Sequence, residues 1–300
     1  MEMLPDQKGN TRVTEKKSIY DFLSAKKDIG REIQKIAELF ENVNIVTIHD
    51  FYPDQTTLEK FISHTLFLSW NGRGTYLIPD ELKQEMGVSG IRKKIPTELQ
   101  TTLYLEYVLN MIKLYESKKH LVSSSFSVEM PIYEALLNNI SLILSQLNLA
   151  SIEKTPEIFI LTPKDPTISE AVEIVDKPDV KLAILEYNHI TNRNNLAGKQ
   201  KILHVLAKDF EPRRLELEVK KEWKTLASDL GFLFNTLDIR HNNTEGKKAV
   251  PAIQNMSEKD LLEWYDTTYR LYLTAVLLYD YSSEEQQTKI TALKTAVNPR

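Results

Sequence analysis

The residues best suited to chemistry stand together in one polar segment, residues 239–248 (IRHNNTEGKK). An arginine fork can bind two oxygens of a phosphodiester, and a histidine can give or take a proton near neutral pH. Amide and ammonium groups beside them can hold a substrate in place. The segment therefore predicts two catalytic residues, Arg240 and His241. It also predicts three substrate-binding residues, Asn242, Asn243 and Lys247.

The same segment also has the composition of a plain helix end. Cationic side chains are favoured at a helix C-terminus, and Asn and Gly suit the turn positions that follow it. Arg240, the two asparagines and Gly246 satisfy that pattern without any ligand. The residue types alone leave a phosphodiester site and a helix stop both open.

A second tract repeats this polar pattern. Residues 194–199 and 242–247 both read N-N-x-x-G-K, and an arginine closely precedes each. We expect the two tracts to form matching loops at one face of a helical unit. This expectation adds Arg193 and Asn194 to the predicted substrate-binding residues. Coincidence among common turn residues is the alternative. Neither tract is a phosphate-binding P-loop, because the G-x-x-x-x-G-K-[ST] spacing is missing.

Helices must position these residues. Apolar residues recur at helical spacing in four long stretches, 96–118, 131–149, 196–209 and 212–238. Pro212 is typical of a first helical position, so it is predicted to open the last of these helices. Ser257 and Asp260 resemble a capping pair that opens another long helix after the polar segment.

The sequence therefore predicts an all-α, predominantly helical protein built as a helical bundle, with one or two short strands at most. The strand candidates are residues 44–48 (NIVTI) and 157–162 (EIFILT), and the second lacks an obvious partner. For each of them a buried connector between helices is the alternative. Prolines crowd the stretch that follows residue 155, which is typical of a domain boundary. The predicted domains are a helical N-terminal domain over 1–155 and a second helical domain over 156–300.

Composition excludes several classes of protein. The chain has no cysteine, so thiolate nucleophiles, disulfides and cysteine-based metal sites are ruled out. The formal net charge is −4, whereas a protein that coats nucleic acid is usually strongly basic. We find no secretory signal and no apolar stretch of membrane-spanning length, which predicts a soluble, cytoplasmic protein without membrane contact. The histidines stand at no diagnostic spacing, so neither a metal nor a cofactor is predicted.

Residues 196–282 resemble the HEPN superfamily, in which a helix ends in an arginine and a polar residue and a second long helix follows a short loop. The resemblance rests on five positions, Asn235, Ile239, Arg240, His241 and Asn242. The wider layout is similar to bacterial abortive-infection proteins, which place a HEPN-like helical domain after a variable N-terminal part. The resemblance implies a metal-independent RNase site, often formed across a dimer, with Arg240 as its arginine and His241 at its polar position.

The chain departs from that family at one position. The family has a further histidine a few residues after the arginine, where this chain has Thr244, Glu245 and Gly246. RNA cleavage needs both an acid and a base, which His241 of two protomers would have to supply. The resemblance thus implies a phage-defence or toxin-type endoribonuclease that acts on RNA as a homodimer or within a defence complex. The alternative is a non-catalytic sensor or adaptor that binds a nucleotide, RNA or a protein partner.

Overall fold

The computed structural model describes residues 27–49, 54–122, 126–240 and 251–297. Over these ranges the chain is mostly helical, with twelve α-helices and five short strands, which confirms the predominantly helical fold. The helices of the first half are α1 (Ile29–Glu41), α2 (Leu58–Thr65), α3 (Pro79–Glu85), α4 (Glu98–Lys118) and α5 (Met130–Gln146). Those of the second half are α6 (Pro166–Ile174), α7 (Pro178–Tyr187), α8 (Leu196–Val219), α9 (Lys224–Thr236), α10 (Pro251–Gln254), α11 (Glu258–Tyr281) and α12 (Glu284–Val297). The strands are β1 (Asn44–Ile48), β2 (Asp54–Thr57), β3 (Phe126–Val128), β4 (Leu149–Thr155) and β5 (Ile158–Pro163).

The first half folds around α4. Tyr104, Leu105 and Val108 of this helix are fully excluded from solvent, and α1 and α2 pack directly on it. The predicted strand NIVTI is present as β1, which pairs antiparallel with β2 on one side and β3 on the other. The Thr57 hydroxyl accepts a hydrogen bond from the Lys60 N–H at 3.2 Å and so caps α2.

The strand β5 has a partner that the sequence pattern did not reveal. Residues 149–155 form β4, which pairs antiparallel with β5 through a turn where Glu157 has a φ of 68°. Leu161 of β5 is buried in the hydrophobic core of the first half, and the second core begins at Ile168. The hydrophobic cores of the two halves are therefore separated along the chain at the end of β5. The predicted domain boundary, between residues 155 and 156, lies inside the β4–β5 hairpin.

The second half is a helical unit built around α8, which packs against α7, α9 and α11. The predicted cap of α11 is present, because the Ser257 hydroxyl accepts a hydrogen bond from the Asp260 N–H at 3.1 Å. None of the described helices combines the length and the apolar character needed to cross a bilayer.

The prediction that Pro212 opens a helix is wrong. The helix α8 continues through Pro212 to Val219, and the chain breaks between α8 and α9 at residues 220–223. A proline inside a helix removes one backbone hydrogen bond and crowds the preceding turn. Here Pro212 is exposed, while Phe210 and Leu217 on the opposite side are buried, each 1% exposed. Burial of this face offsets the local cost of the proline.

Candidate functional site

The polar segment begins in a tight turn that follows α9. Asp238 adopts a left-handed φ of 60°, which lets the chain reverse so that the Arg240 N–H reaches the Phe234 carbonyl at 3.2 Å. The turn lies along α8: Gln200 donates to the Asp238 carbonyl at 2.6 Å, and the His204 ring contacts the Ile239 carbonyl at 3.0 Å. These contacts fix the direction in which the chain leaves α9.

Both terminal nitrogens of the Arg240 guanidinium donate hydrogen bonds to residues of α8 and α9. Its guanidinium forms a bidentate ion pair with Glu211, with Nη1–Oε1 at 3.0 Å and Nη2–Oε2 at 2.6 Å. Nη1 also donates to the Asn235 side-chain oxygen, and Nη2 to the Ala207 carbonyl, both at 3.3 Å. The side chain of Arg240 is only 20% exposed. Four hydrogen bonds within the protein therefore engage the group that was predicted to bind a phosphodiester.

The ion pair with Arg240 changes the pKa of its partner, Glu211. The hydrogen bonds from Arg240, followed by its positive charge, lower the pKa of the Glu211 carboxyl below its ordinary value, against a smaller opposing effect of burial. The carboxylate is thus ionised at neutral pH and neutralises the guanidinium. In this structure Arg240 anchors the turn to α8.

The remaining residues predicted around Arg240 are His241, Asn242, Asn243 and Lys247, and all four lie outside the described residues. Their proposed roles stay predictions.

The other predicted tract forms the start of α8. Asn195 caps the helix, because its side-chain oxygen accepts the Gly198 N–H at 2.9 Å. Gly198 leaves room for this cap, since a Cβ would lie 2.6 Å from both the Asn192 oxygen and the Asn195 amide nitrogen and would displace those side chains. Asn194 is exposed in the turn. The tract is therefore a helix start that Asn195 and Gly198 stabilise together.

Arg193 points toward the first half of the chain. Its guanidinium forms a bidentate ion pair with Glu98 at the start of α4, with both N–O distances at 2.8 Å. The two side chains are 59% and 63% exposed. Two further contacts join the halves nearby: a hydrogen bond between His189 and Glu106 at 2.9 Å, and an ion pair between Lys154 and Glu186. Arg193 belongs to the junction between the halves.

The two arginine-bearing turns do not share a contact. Arg193 precedes the first turn of α8, whereas Arg240 contacts Ala207 and Glu211 further along the same helix. At 1.5 Å of rise per residue, these contacts lie roughly 16 to 22 Å from the start of α8. The chain also runs along α8 from Gln200 toward Glu211, which leads away from Arg193. Residues 242–247 lie outside the described residues, so the expectation that the two tracts meet at one face stays a prediction.

A cleft that the sequence pattern missed opens beside Arg193. It has a volume of about 410 Å³ and is lined by Asp165, Asn188, Arg193, Lys199, Asp266 and Arg270, among others. We call it the α8–α11 cleft. Lys199 is buried and contacts Asp266 at 2.5 Å, and the Tyr187 hydroxyl donates to the same Asp266 oxygen at 2.8 Å. Arg193 and the lysine of the N-N-x-x-G-K tract gave a signal in the sequence, whereas Asp266 and Tyr187 gave none because they are distant in the chain.

The floor of the α8–α11 cleft is rigidly built. The rings of Tyr187 and Tyr269 stack at 4.0 Å with an interplanar angle of 6°, and the Lys199 ammonium lies 4.8 Å from the Tyr187 ring centre. The Tyr269 hydroxyl donates to the Ile184 carbonyl at 2.8 Å. Burial, followed by the charge of Asp266, raises the pKa of Tyr187, which keeps it protonated as a hydrogen-bond donor.

The described residues contain no group of three or more His, Asp or Glu side chains arranged to hold a metal ion. The chain matches no protein-family model, and neither a curated protein nor a solved structure gives a significant match to it.

Proposed function

We propose that this chain is a HEPN-like sensor or adaptor of a phage-defence system that recognises a nucleotide or RNA without cleaving it. The observation that carries the proposal is the engagement of Arg240. The Arg240 side chain is 20% exposed and its guanidinium is neutralised by Glu211, so it does not present a free fork to a phosphodiester.

Two further features support recognition rather than catalysis. The described histidines of the second half are engaged in internal contacts: His189 with Thr191 and Glu106, and His204 with the Ile239 carbonyl. Exposed arginines that could meet an anionic ligand lie instead near the junction, where Arg193 and Arg270 line one cleft. A ligand at a junction between two halves can alter how they contact each other, as a sensor requires.

A metal-independent endoribonuclease is the second candidate. The observation that favours it is the position of Arg240 at the end of α9, directly before His241 and ahead of the long helix α11. In that reading Glu211 orients the guanidinium until a phosphodiester replaces it, and His241 transfers the proton. Asn242, Asn243, Lys247, Arg193 and Asn194 would bind the RNA.

An RNA cleavage assay separates the two candidates. We would incubate the full chain and its His241→Ala variant with an end-labelled single-stranded RNA in the presence of a metal chelator. His120→Ala, at an exposed histidine after α4, is the matched control. The proposal expects all three proteins to leave the RNA equally intact. Chelator-resistant cleavage by the unaltered chain and by His120→Ala, absent in His241→Ala, would establish the nuclease instead. His241→Ala carries the test because Arg240 also stabilises the fold.

A further inference from the structure

The α8–α11 cleft contains a cation without a carboxylate partner in the described structure. Lys199 is neutralised by Asp266, and the Asp165 carboxylate accepts the Thr167 N–H at 2.8 Å as the cap of α6. Arg270 donates only to Thr267 of its own helix, at 3.3 Å, and none of the described carboxylate oxygens lies within 4 Å of it. Counting Glu98 on Arg193, the three cations of the cleft are matched by three carboxylates, so the cleft has no excess of formal charge. Arg270 is the cation of the cleft whose donors no described carboxylate accepts from, and a bound oxyanion could accept from them.

Arg193 lines this cleft, and its guanidinium already binds an oxyanion, the Glu98 carboxylate. Glu98 occupies both arms of its fork at 2.8 Å, and both side chains are more than half exposed. An arginine can bind a phosphate through the same two hydrogen bonds that it donates to a carboxylate. Because an exposed pair of this kind contributes little stability, another oxyanion can replace Glu98 at small cost.

A second depression lies on the other side of Arg193. It has a volume of about 400 Å³ and includes Leu99, Leu103 and Ile190 among its lining residues. We call it the α4 groove. Leu99 is 45% exposed, so part of its apolar surface is open to a ligand in this groove. Arg193 lines both depressions, so a single ligand can place an anionic group in the α8–α11 cleft and an apolar group in the α4 groove.

We infer that these two depressions form one binding site for a small organic oxyanion, which takes Arg193 from Glu98 and contacts Arg270. The inference rests on the proposed function, because it gives the sensor its ligand class and its site. Glu98 acts as an internal competitor: it holds Arg193 in the ligand-free chain, and its release opens one of the ion pairs between the halves. Ligand binding is thereby coupled to the contact between α4 and the turn before α8.

Calorimetric titration of the full chain with phenyl phosphate tests the inference, because this probe combines an oxyanion with an apolar ring. We expect Arg270→Met to weaken binding about tenfold, since a charge-assisted hydrogen bond contributes at least that much. We expect Glu98→Gln to tighten binding several-fold, because it releases Arg193. Lys259→Met removes an exposed positive charge at the start of α11 and is the matched control; it should leave the affinity unchanged.

Further probes define what the site recognises. Inorganic phosphate and phenol, each carrying half of the probe, should bind more weakly than phenyl phosphate, and benzoate reports whether a planar carboxylate suffices. Equal weakening by Arg270→Met and Lys259→Met, or an unchanged affinity in Glu98→Gln, would overturn the inference. These outcomes are independent of RNA cleavage: a nuclease result would refute the proposed function, while the titration would still report on the site.

Discussion

The two arginines at the polar turns, Arg193 and Arg240, form the same kind of ion pair in different surroundings. Each binds a glutamate through both arms of its fork. The pair with Glu98 joins the two halves at an exposed junction, whereas the pair with Glu211 joins a turn to α8 inside the second half. Arg240 also reaches the Ala207 carbonyl and the Asn235 side chain. The two pairs have the same geometry but contribute unequally to stability. Solvent competes more strongly with the exposed Arg193–Glu98 pair than with the Arg240–Glu211 pair.

The largest effect should follow the loss of Arg240. We expect Arg240→Ala to lower the free energy of unfolding by about 2 kcal/mol, because Glu211 loses its bidentate partner and the Asn235 side chain and the Ala207 carbonyl each lose one donor. Urea unfolding measures the change. Arg240→Lys keeps the charge but lacks the fork, so it should lose a smaller part of the stability. Lys289→Ala, which removes an exposed pair in α12, is the control and should change little. A loss from Arg240→Ala no larger than the control would show that the pair does not anchor the turn.

A smaller effect should follow the loss of the cap at the other turn. Asn195→Ala removes the hydrogen bond to the Gly198 N–H, and helix caps of this kind contribute about 1 kcal/mol. Urea unfolding again reports the loss, and Asn194→Ala at the exposed neighbouring position is the matched control. Equal losses of stability from Asn195→Ala and Asn194→Ala would show that Asn195 is not a specific helix cap. The asparagine pattern of the tract would then reflect composition alone.

The smallest effect should come from the exposed pair. A double-mutant cycle on Arg193→Ala and Glu98→Ala should give a coupling of less than about 0.5 kcal/mol. The hydrogen bonds from Arg193 lower the pKa of Glu98, so the coupling is present above the ordinary carboxyl pKa and fades as the pH falls through the lowered value. Repeating the cycle in acid checks this sign. A coupling as large as that between Arg240 and Glu211, or one that grows in acid, would mean that the junction is a rigid structural joint.

Local patterns predicted much of the fold correctly. The long helices, the cap at Ser257 and the strand at residues 44–48 depend on neighbours within a few positions, so the sequence reveals them. The hairpin partner of β5 was missed because residues 149–155 have no strong alternation of their own. Pro212 was misplaced because its effect on α8 is decided by the buried face on which Phe210 and Leu217 lie.

The sequence by itself determined which residues were able to do chemistry, because the side-chain type fixes charge, donors and acidity. It identified Arg240 and Arg193 as forks that could bind an oxyanion. Only the tertiary structure decided what each fork binds, since Glu211 and Glu98 are brought to them from distant parts of the chain. The same holds for the α8–α11 cleft, whose residues come from four helices and the turns between them. A local pattern carries no record of such contacts, because they depend on how the helices pack.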